Sequence, residues 1–194
     1  MATTIESYFT SKVRVKIIKQ YFLNPKSSYH IREMVRITKE EVNAVRRELM
    51  RMEVSGFLFS QRTGNRLNYH LNPDFLLYSE FRSIVHKEFG LGHEVIKHKK
   101  QLGDVHYAIL SNTFINMEPS NESDLDLLIV GSPDQTVLDA IIENAQDQLD
   151  REIFFTVMSD KEFENAKRRK DSFVYSLMVL PKVLLFGNEI DFIK

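Results

Sequence analysis

The chain has 194 residues, of which 43% are hydrophobic, and this length suits one large domain or two small ones. It contains no cysteine, which excludes disulfides and thiolate metal sites. No apolar run reaches the roughly 18 residues of a membrane span, and residues 1–16 lack the apolar core of an export signal, so we expect a cytoplasmic protein that does not enter a membrane.

The net charge of −1 conceals two halves of opposite charge. Residues 1–72 contain 13 Lys and Arg against 6 Asp and Glu, whereas residues 104–194 contain 8 against 17. The segment between them, residues 73–103, is close to neutral. This asymmetry predicts two domains with different partners. The basic half suits a polyanion, and the acidic half would repel one unless its acids hold metal ions.

Apolar residues recur at helical spacing in three segments of the basic half. The first predicted helix ends at Asn24-Pro25, and a short second helix covers residues 27–37. In the third, Thr38 and Glu41 have the spacing of a capping box, and Gly56 lies where a left-handed residue ends a helix. The inward-facing positions are Val13, Ile17, Ile18 and Phe22 in the first helix, Ile31, Met34 and Val35 in the second, and Val42, Val45, Leu49 and Met52 in the third.

The other face of the third predicted helix is polar and basic. Its residues are Lys39, Asn43, Arg46, Arg47 and Arg51. Asn and Arg make bidentate contacts with base edges, and Lys and Arg bind phosphate. Two β-like runs follow on either side of Thr63-Gly64-Asn65, which predicts a hairpin with Arg62 and Arg66 near its turn.

Three helices and a basic hairpin over residues 11–72 resemble the winged-helix domains of bacterial and archaeal transcription regulators of the ArsR-like kind. The segment YHIREMVRITKEEVNAVRRELMRMEVSGFL fits that pattern along its length. The resemblance implies that the third helix enters the major groove of DNA and that the wing touches the backbone. Asn43, Arg46 and Arg47 would then face the groove, and Arg62 and Arg66 would lie on the wing. The alternative is a winged helix that only docks other proteins.

The segment from residue 75 to residue 102 is predicted to be helical with a break at Gly90-Leu91-Gly92. It is more apolar than a free linker, so we expect it to pack on one domain or on a second copy of itself. Winged helices often dimerise through such flanking helices. Three histidines occur here, but His93 and His98 are five residues apart and do not share a helical face.

From Val105 onward, predicted strands alternate with predicted helices, which indicates a small α/β domain. The predicted strands are 105–111, 125–130 and 151–159, and the predicted helices are 135–149 and 160–170. The basic run at 167–170 is explained by the preference of helix C-termini for cations, although it could also bind phosphate.

Asp124 and Asp126 stand one residue apart before the apolar run LLIVG. On a strand, both carboxylates would project to the same face. Two close carboxylates repel each other unless a cation or a proton lies between them. The pair therefore indicates either a divalent metal site or two solvated acids at the end of a sheet.

The segment LSNTFINMEPSNESDLDLLIVG resembles the signature of minimal nucleotidyltransferases of the polymerase-β-like superfamily. The resemblance implies Mg²⁺ on Asp124 and Asp126, a third acid from the strand at 152–157, and nucleotide phosphates at Asn112-Thr113, with Thr113 as a further catalytic candidate. Two metals would clamp the attacking and leaving oxygens of phosphoryl transfer.

The chain departs from this signature at several positions. Asn112 replaces a glycine, and Asn116 and Met117 replace the usual Arg and Gly. Phe154 takes the place of the third acid, with Glu152 two residues away. With two carboxylates, a two-metal site lacks ligands.

The sequence thus predicts an α+β protein of two domains, a winged helix at 1–72 and a nucleotidyltransferase-like domain with a mixed sheet at 104–194, joined by a helical connector at 73–103. The first functional hypothesis is a homodimeric regulator of transcription that binds double-stranded DNA and has an inactive sensor or scaffold domain, which could still take a nucleotide ligand. The second is a Mg²⁺-dependent nucleotidyltransferase acting on a protein or nucleic acid. The third is an antitoxin-like interaction module.

Overall fold

The structure, a computed structural model, describes residues 5–119, 121 and 124–193. Within these ranges the protein is α+β, with ten α-helices and two β-sheets, one three-stranded and antiparallel, the other four-stranded and mixed. The chain divides into two compact units, Met1–Val85 and His86–Lys194. The division falls within the segment 73–103 that the sequence predicts as a connector. No helix in the described part is long and apolar enough to cross a membrane.

The N-terminal unit consists of short helices around a small sheet. After a 3-10 helix at Ile5–Ser7, its elements are α1 (Lys12–Phe22), β1 (Ser28–His30), α2 (Ile31–Thr38), α3 (Val42–Val54), β2 (Leu58–Thr63), β3 (Arg66–Leu71) and the start of α4 (Tyr78–Glu88). The strand order is β1-β3-β2, and both pairings are antiparallel. The predicted three helices and hairpin are all present.

The start of the second helix differs from the prediction. Residues Ser28–His30 form β1, in which Tyr29 pairs with Tyr69 of β3 and is buried. The helix begins only at Ile31, because the Nδ1 of His30 accepts a hydrogen bond from the backbone N–H of Glu33 and so caps it. Residues 28–30, which the helical pattern assigns to the second helix, therefore form a strand because they pair with β3.

The predicted capping box at Thr38 and Glu41 is wrong. The Thr38 hydroxyl donates to the carbonyl of Met34 at 2.7 Å within α2, which ends at Lys39 in a left-handed conformation. Glu41 caps α3 alone, accepting a hydrogen bond from the N–H of Ala44 at 2.9 Å. Val42, predicted to face inward, is therefore exposed next to the cap.

The end of α3 and the hairpin follow the prediction. Gly56 has a φ of 76°, and the amide of Phe57 donates back to the carbonyl of Met52, the pattern that ends a helix at a left-handed residue. Gly64 and Asn65 form the two-residue loop of the hairpin, and Gly64 has a φ of 58°.

The C-terminal unit is a mixed sheet covered by helices on both faces. After the end of α4, its elements are α5 (Gly90–Lys97), β4 (Gly103–Leu110), α6 (Asn112–Ile115), β5 (Leu127–Pro133), α7 (Gln135–Leu149), β6 (Phe155–Met158), α8 (Asp160–Arg169), α9 (Ser172–Val179), β7 (Val183–Phe186) and α10 (Glu189–Ile193). The strand order is β6-β5-β4-β7. Strands β5 and β6 are parallel, with α7 as the crossover, and the other two pairings are antiparallel.

Strand β5 is the centre of this unit. Leu127 and Ile129 pack with residues of α5 and α7, while Leu128 and Val130 pack with residues of α8, α9 and α10. All four side chains have no exposed surface. This run is therefore buried on both faces of the sheet.

Gly131 continues β5 at a point where β4 approaches closely. Its φ is 133°, and a Cβ would lie 2.3 Å from the carbonyl oxygen of Asp104 and 2.9 Å from the Cα of Val105. We expect Gly131→Ala to lower the free energy of unfolding by about 3 kcal/mol, because it adds both backbone strain and a steric clash. Urea unfolding followed by far-UV circular dichroism measures this loss.

Gly103→Ala is the matched control, since Gly103 also has a positive φ of 83° but its Cβ would lie 3.4 Å from the nearest atom. It carries the strain without the clash, so we expect a loss of about 1 kcal/mol. Equal losses for the two variants would contradict the close approach at Gly131.

Candidate nucleic-acid interface and candidate nucleotide site

The exposed face of α3 is basic in its first half and apolar in its second. Asn43, Arg46 and Arg47 are exposed on the N-terminal turns. Met50 and Val54 continue the same face, with 53% and 91% of their surface exposed. These two apolar side chains were not anticipated, although Met50 is 3 or 4 residues from Arg47 and Arg46 and Val54 is 4 residues from Met50, a spacing that places both on this face.

Two residues predicted for this face lie elsewhere. Lys39 is exposed at the end of α2 rather than on α3. Arg51 lies to one side of this face, and its Nη1 is 3.3 Å from the Oε1 of Glu48, a residue that is almost completely buried. The basic face proper thus consists of the first two turns of α3.

The N-cap of α3 keeps a negative charge beside these arginines. The backbone N–H groups of Asn43 and Ala44 donate to Glu41 and hold the pKa of its carboxyl below its ordinary value, with Arg47 and Arg46 adding smaller contributions. This exposed carboxylate offsets part of the positive charge of the face, and salt screens the interaction.

The β2–β3 hairpin faces the N-terminal turns of α2 and α3 across an open cleft of about 440 Å³. Arg66 from the hairpin, Arg46 from α3 and Arg32 from α2 all line it. No acidic residue is among the side chains that line it in the described structure. Arg62, the other predicted hairpin residue, is exposed on β2 next to the loop.

Sequence reasoning missed the contribution of α2. Arg32 and Arg36 are exposed one turn apart, and Arg36 lines a neighbouring cleft together with Arg66 and Glu33. Among the described residues, neither these two arginines nor Arg46, Arg47 and Arg66 form an ion pair. The i, i+4 spacing of Arg32 and Arg36 is the signal that could have identified them.

In the C-terminal unit, the two residues predicted to bind nucleotide phosphates line one cleft with Asp124, which was predicted to bind metal. Asn112 and Thr113 of α6 and Asp124 border a space of about 270 Å³, closed on another side by Ser172 and Phe173 of α9. Ser123, which opens the Ser-Asp-x-Asp pattern, lies outside the described residues.

The two aspartates do not project together. Strand β5 begins only at Leu127, so neither Asp124 nor Asp126 lies in it. Asp124 is exposed and hydrogen-bonded to Asn121, whereas Asp126 is completely buried. The prediction that strand geometry aims both carboxylates at one face is wrong, because the chain turns at Asp126 before the strand starts.

Both oxygens of Asp126 are engaged by the protein. The Nη2 of Arg151 donates to Oδ1 at 2.6 Å, and the amide of Phe154 donates to Oδ2 at 3.0 Å. The amide of Asp126 donates in turn to the carbonyl of Phe154 at 2.6 Å. Arg151 also donates to the carbonyl of Glu118 and lies over the ring of Phe114.

These residues do not fit a Mg²⁺ ion. Mg²⁺ requires oxygen ligands in near-octahedral arrangement, and the carboxylate that would share it with Asp124 is held by a guanidinium. Glu152, the predicted substitute for a third acid, is exposed and precedes β6, and position 154 contributes backbone rather than a carboxylate. The described residues contain no group of three or more acids or histidines that could hold a metal.

The Asp126–Arg151 pair should be essential for the stability of this unit. Arg151→Ala leaves a buried carboxylate without its cation, so we expect a loss of about 3–5 kcal/mol in the free energy of unfolding. Urea unfolding of the full chain measures it. Arg151→Met combined with Asp126→Asn removes both charges, and we expect it to be less destabilising than Arg151→Ala.

Arg168→Ala is the matched control, because Arg168 is an exposed arginine of the same unit. We expect it to change stability by less than about 0.5 kcal/mol. If Arg151→Ala behaved like Arg168→Ala, the pair would have no structural role.

Comparisons of the chain with protein-family models, with curated proteins and with solved structures found no match.

Proposed function

We propose that the protein is a DNA-binding regulator of transcription whose N-terminal unit is a winged helix, with α3 as the recognition helix and the β2–β3 hairpin as the wing. The observation that carries this proposal is the cleft where Arg32, Arg46 and Arg66, from three separate elements, converge without an acidic side chain among those that line it. A group of cations of this kind is suited to binding the phosphates of DNA.

The distribution of residues on α3 supports a division between side chains that contact bases and side chains that contact phosphates. In helix-turn-helix proteins, the N-terminal residues of the recognition helix contact base edges. Asn43, Arg46 and Arg47 occupy that part of α3 and have the side chains that make bidentate contacts with adenine and guanine. Met50 and Val54 could contact only apolar groups such as the thymine methyl.

The remaining cations surround this face and would bind phosphates. They are Arg32 and Arg36 on α2, Lys39 at its end, and Arg62 and Arg66 on the hairpin. Contacts of this kind fix the register of a protein on the duplex and carry no sequence information. Arg51 would contribute less, since it is already paired with Glu48 on one side.

The C-terminal unit is proposed to be a nucleotidyltransferase-like domain that serves as a sensor or scaffold, and the protein to act as a homodimer. Leu76, Leu77 and Ile84 are exposed around the start of α4, which supports association through the segment predicted for it. Asp124, Asn112 and Thr113 line one cleft, which keeps a nucleotidyltransferase as the second candidate, although the ion pair of Asp126 with Arg151 counts against its Mg²⁺ site.

DNA binding should depend steeply on salt and on the α3 arginines. In fluorescence anisotropy with a mixed-sequence duplex, we expect Arg46→Ala with Arg47→Ala to weaken binding by about tenfold or more. If both side chains contact phosphates, the slope of log affinity against log salt should fall by about 2.

Arg168→Ala with Arg169→Ala is the matched control, since it removes the same charge from exposed positions at the end of α8. We expect it to leave binding and salt slope unchanged. Binding that ignores salt and the α3 arginines would argue against this function and favour an antitoxin-like module that docks a protein.

The second candidate is tested separately. If the C-terminal unit is a sensor or scaffold, incubation with labelled ATP and Mg²⁺ should release no pyrophosphate above the level given by Asp124→Ala. Because Asp124 is exposed, this variant should keep its fold. Release that Asp124→Ala abolishes would establish an enzyme instead.

A further inference from the structure

The N-terminal unit contains a cavity beside the C-terminal turns of α3. Its volume is about 210 Å³. Four phenylalanines and two arginines line it, together with Ile18, Met52 and Ser55; the phenylalanines and arginines are Phe9, Phe57, Phe75, Phe81, Arg14 and Arg51. Phe57 is 3% exposed, whereas the side chains of Arg14 and Arg51 are 35% and 64% exposed. The cavity therefore has an apolar floor and a cationic rim.

The phenylalanines form one connected group of rings. The ring centroid of Phe57 lies 5.3 Å from that of Phe75 and 5.7 Å from that of Phe81, with interplanar angles of 69° and 75°. The ring centroid of Phe9 lies 6.2 Å from that of Phe81. Edge-to-face packing of this kind is the arrangement that another aromatic ring joins favourably. An apolar cavity of about 150 Å³ already accommodates benzene, so the volume here suits one ring with a small substituent.

The rim is not electrically neutral. Glu48 accepts from the Nε of Arg14 at 2.8 Å, from the Nη1 of Arg51 at 3.3 Å and from the hydroxyl of Ser11 at 3.2 Å. Two guanidinium groups share this one carboxylate, which leaves one positive charge in excess. In the described contacts, each arginine uses a single nitrogen, so further N–H donors remain on both. Guanidinium groups bind carboxylates through paired N–H donors.

We propose that this cavity binds a small aromatic carboxylic acid, with its ring among the phenylalanines and its carboxylate on Arg14 and Arg51. The ligand would bring the negative charge that Glu48 alone does not supply. Each half of the ligand has its own partner: the ring suits the floor, and the carboxylate suits the rim. The site lies within the N-terminal unit and does not depend on DNA binding.

Titration of the full-length, ¹⁵N-labelled protein with benzoate tests the site. We expect saturable shifts of the amide resonances of residues around the cavity, such as Ser55 and Phe57. Benzyl alcohol keeps the ring but loses the charge, and we expect it to bind about tenfold more weakly, the equivalent of one charge-assisted hydrogen bond. Acetate, which lacks the ring, should give no saturable shift.

Two variants separate the contributions of rim and floor. Arg14→Gln should weaken benzoate by about tenfold and leave benzyl alcohol unchanged, and Arg51→Gln, at a more exposed position, should act in the same direction. Phe75→Ala should weaken both probes. Leu76→Ala, at the adjacent residue with 88% exposure, is the matched control and should change neither.

Thermal unfolding of each variant shows whether the fold is kept. If one of the two arginine variants unfolds, the other takes its place in the comparison. Absence of saturable benzoate shifts in the wild-type protein would overturn the proposal. So would equal affinities for benzoate and benzyl alcohol, or binding that neither Phe75→Ala nor the arginine variants affect.

Discussion

A carboxylate that is withdrawn from water needs a cation or hydrogen-bond donors beside it, and both units of this chain supply arginine for that purpose. In the N-terminal unit, Arg14 and Arg51 hold Glu48. In the C-terminal unit, Arg151 and a backbone amide hold Asp126. These two buried acids determine which charged side chains remain available at each surface, and the functional proposals follow from what is left.

The arginines of α3 show this selection within a single helix. Arg51 is one turn from Arg47, yet only Arg51 reaches Glu48 on the buried side. Arg46 and Arg47 have no such acid and face solvent with Arg66 of the hairpin nearby. The same logic applies to the aspartates, since Arg151 pairs with Asp126, and Asp124 is the single acid among the described residues that line its cleft. The exposed arginines of α3 and this exposed aspartate are what the two buried ion pairs leave.

Features that depend on neighbours in sequence could be predicted, whereas those that depend on distant partners could not. The hairpin loop at Gly64, the left-handed Gly56 and the buried run Leu127–Val130 all follow from local rules of turn chemistry and periodicity. Strand β1 exists only because Ser28–His30 pairs with β3, some 40 residues later in the chain. No local pattern contains that information.

The candidate site divides along the same line. Asn112, Thr113 and Asp124 line one cleft, which their closeness in sequence makes easy to predict. The burial of Asp126 could not be predicted in this way, because its partner Arg151 lies 25 residues further along the chain. The rule that residues i and i+2 share a face holds only inside a strand, and β5 begins at Leu127, after both aspartates.

The contacts of Arg151 also set a condition for redesign. A divalent ion could reach Asp126 only if the guanidinium left, and the guanidinium is simultaneously bonded to the carbonyl of Glu118 and placed over Phe114. Replacing Arg151 alone would leave the buried Asp126 carboxylate without a cation. Adding metal ligands alone would leave the guanidinium in the place that the metal needs. Installing a metal centre here therefore demands several coordinated substitutions.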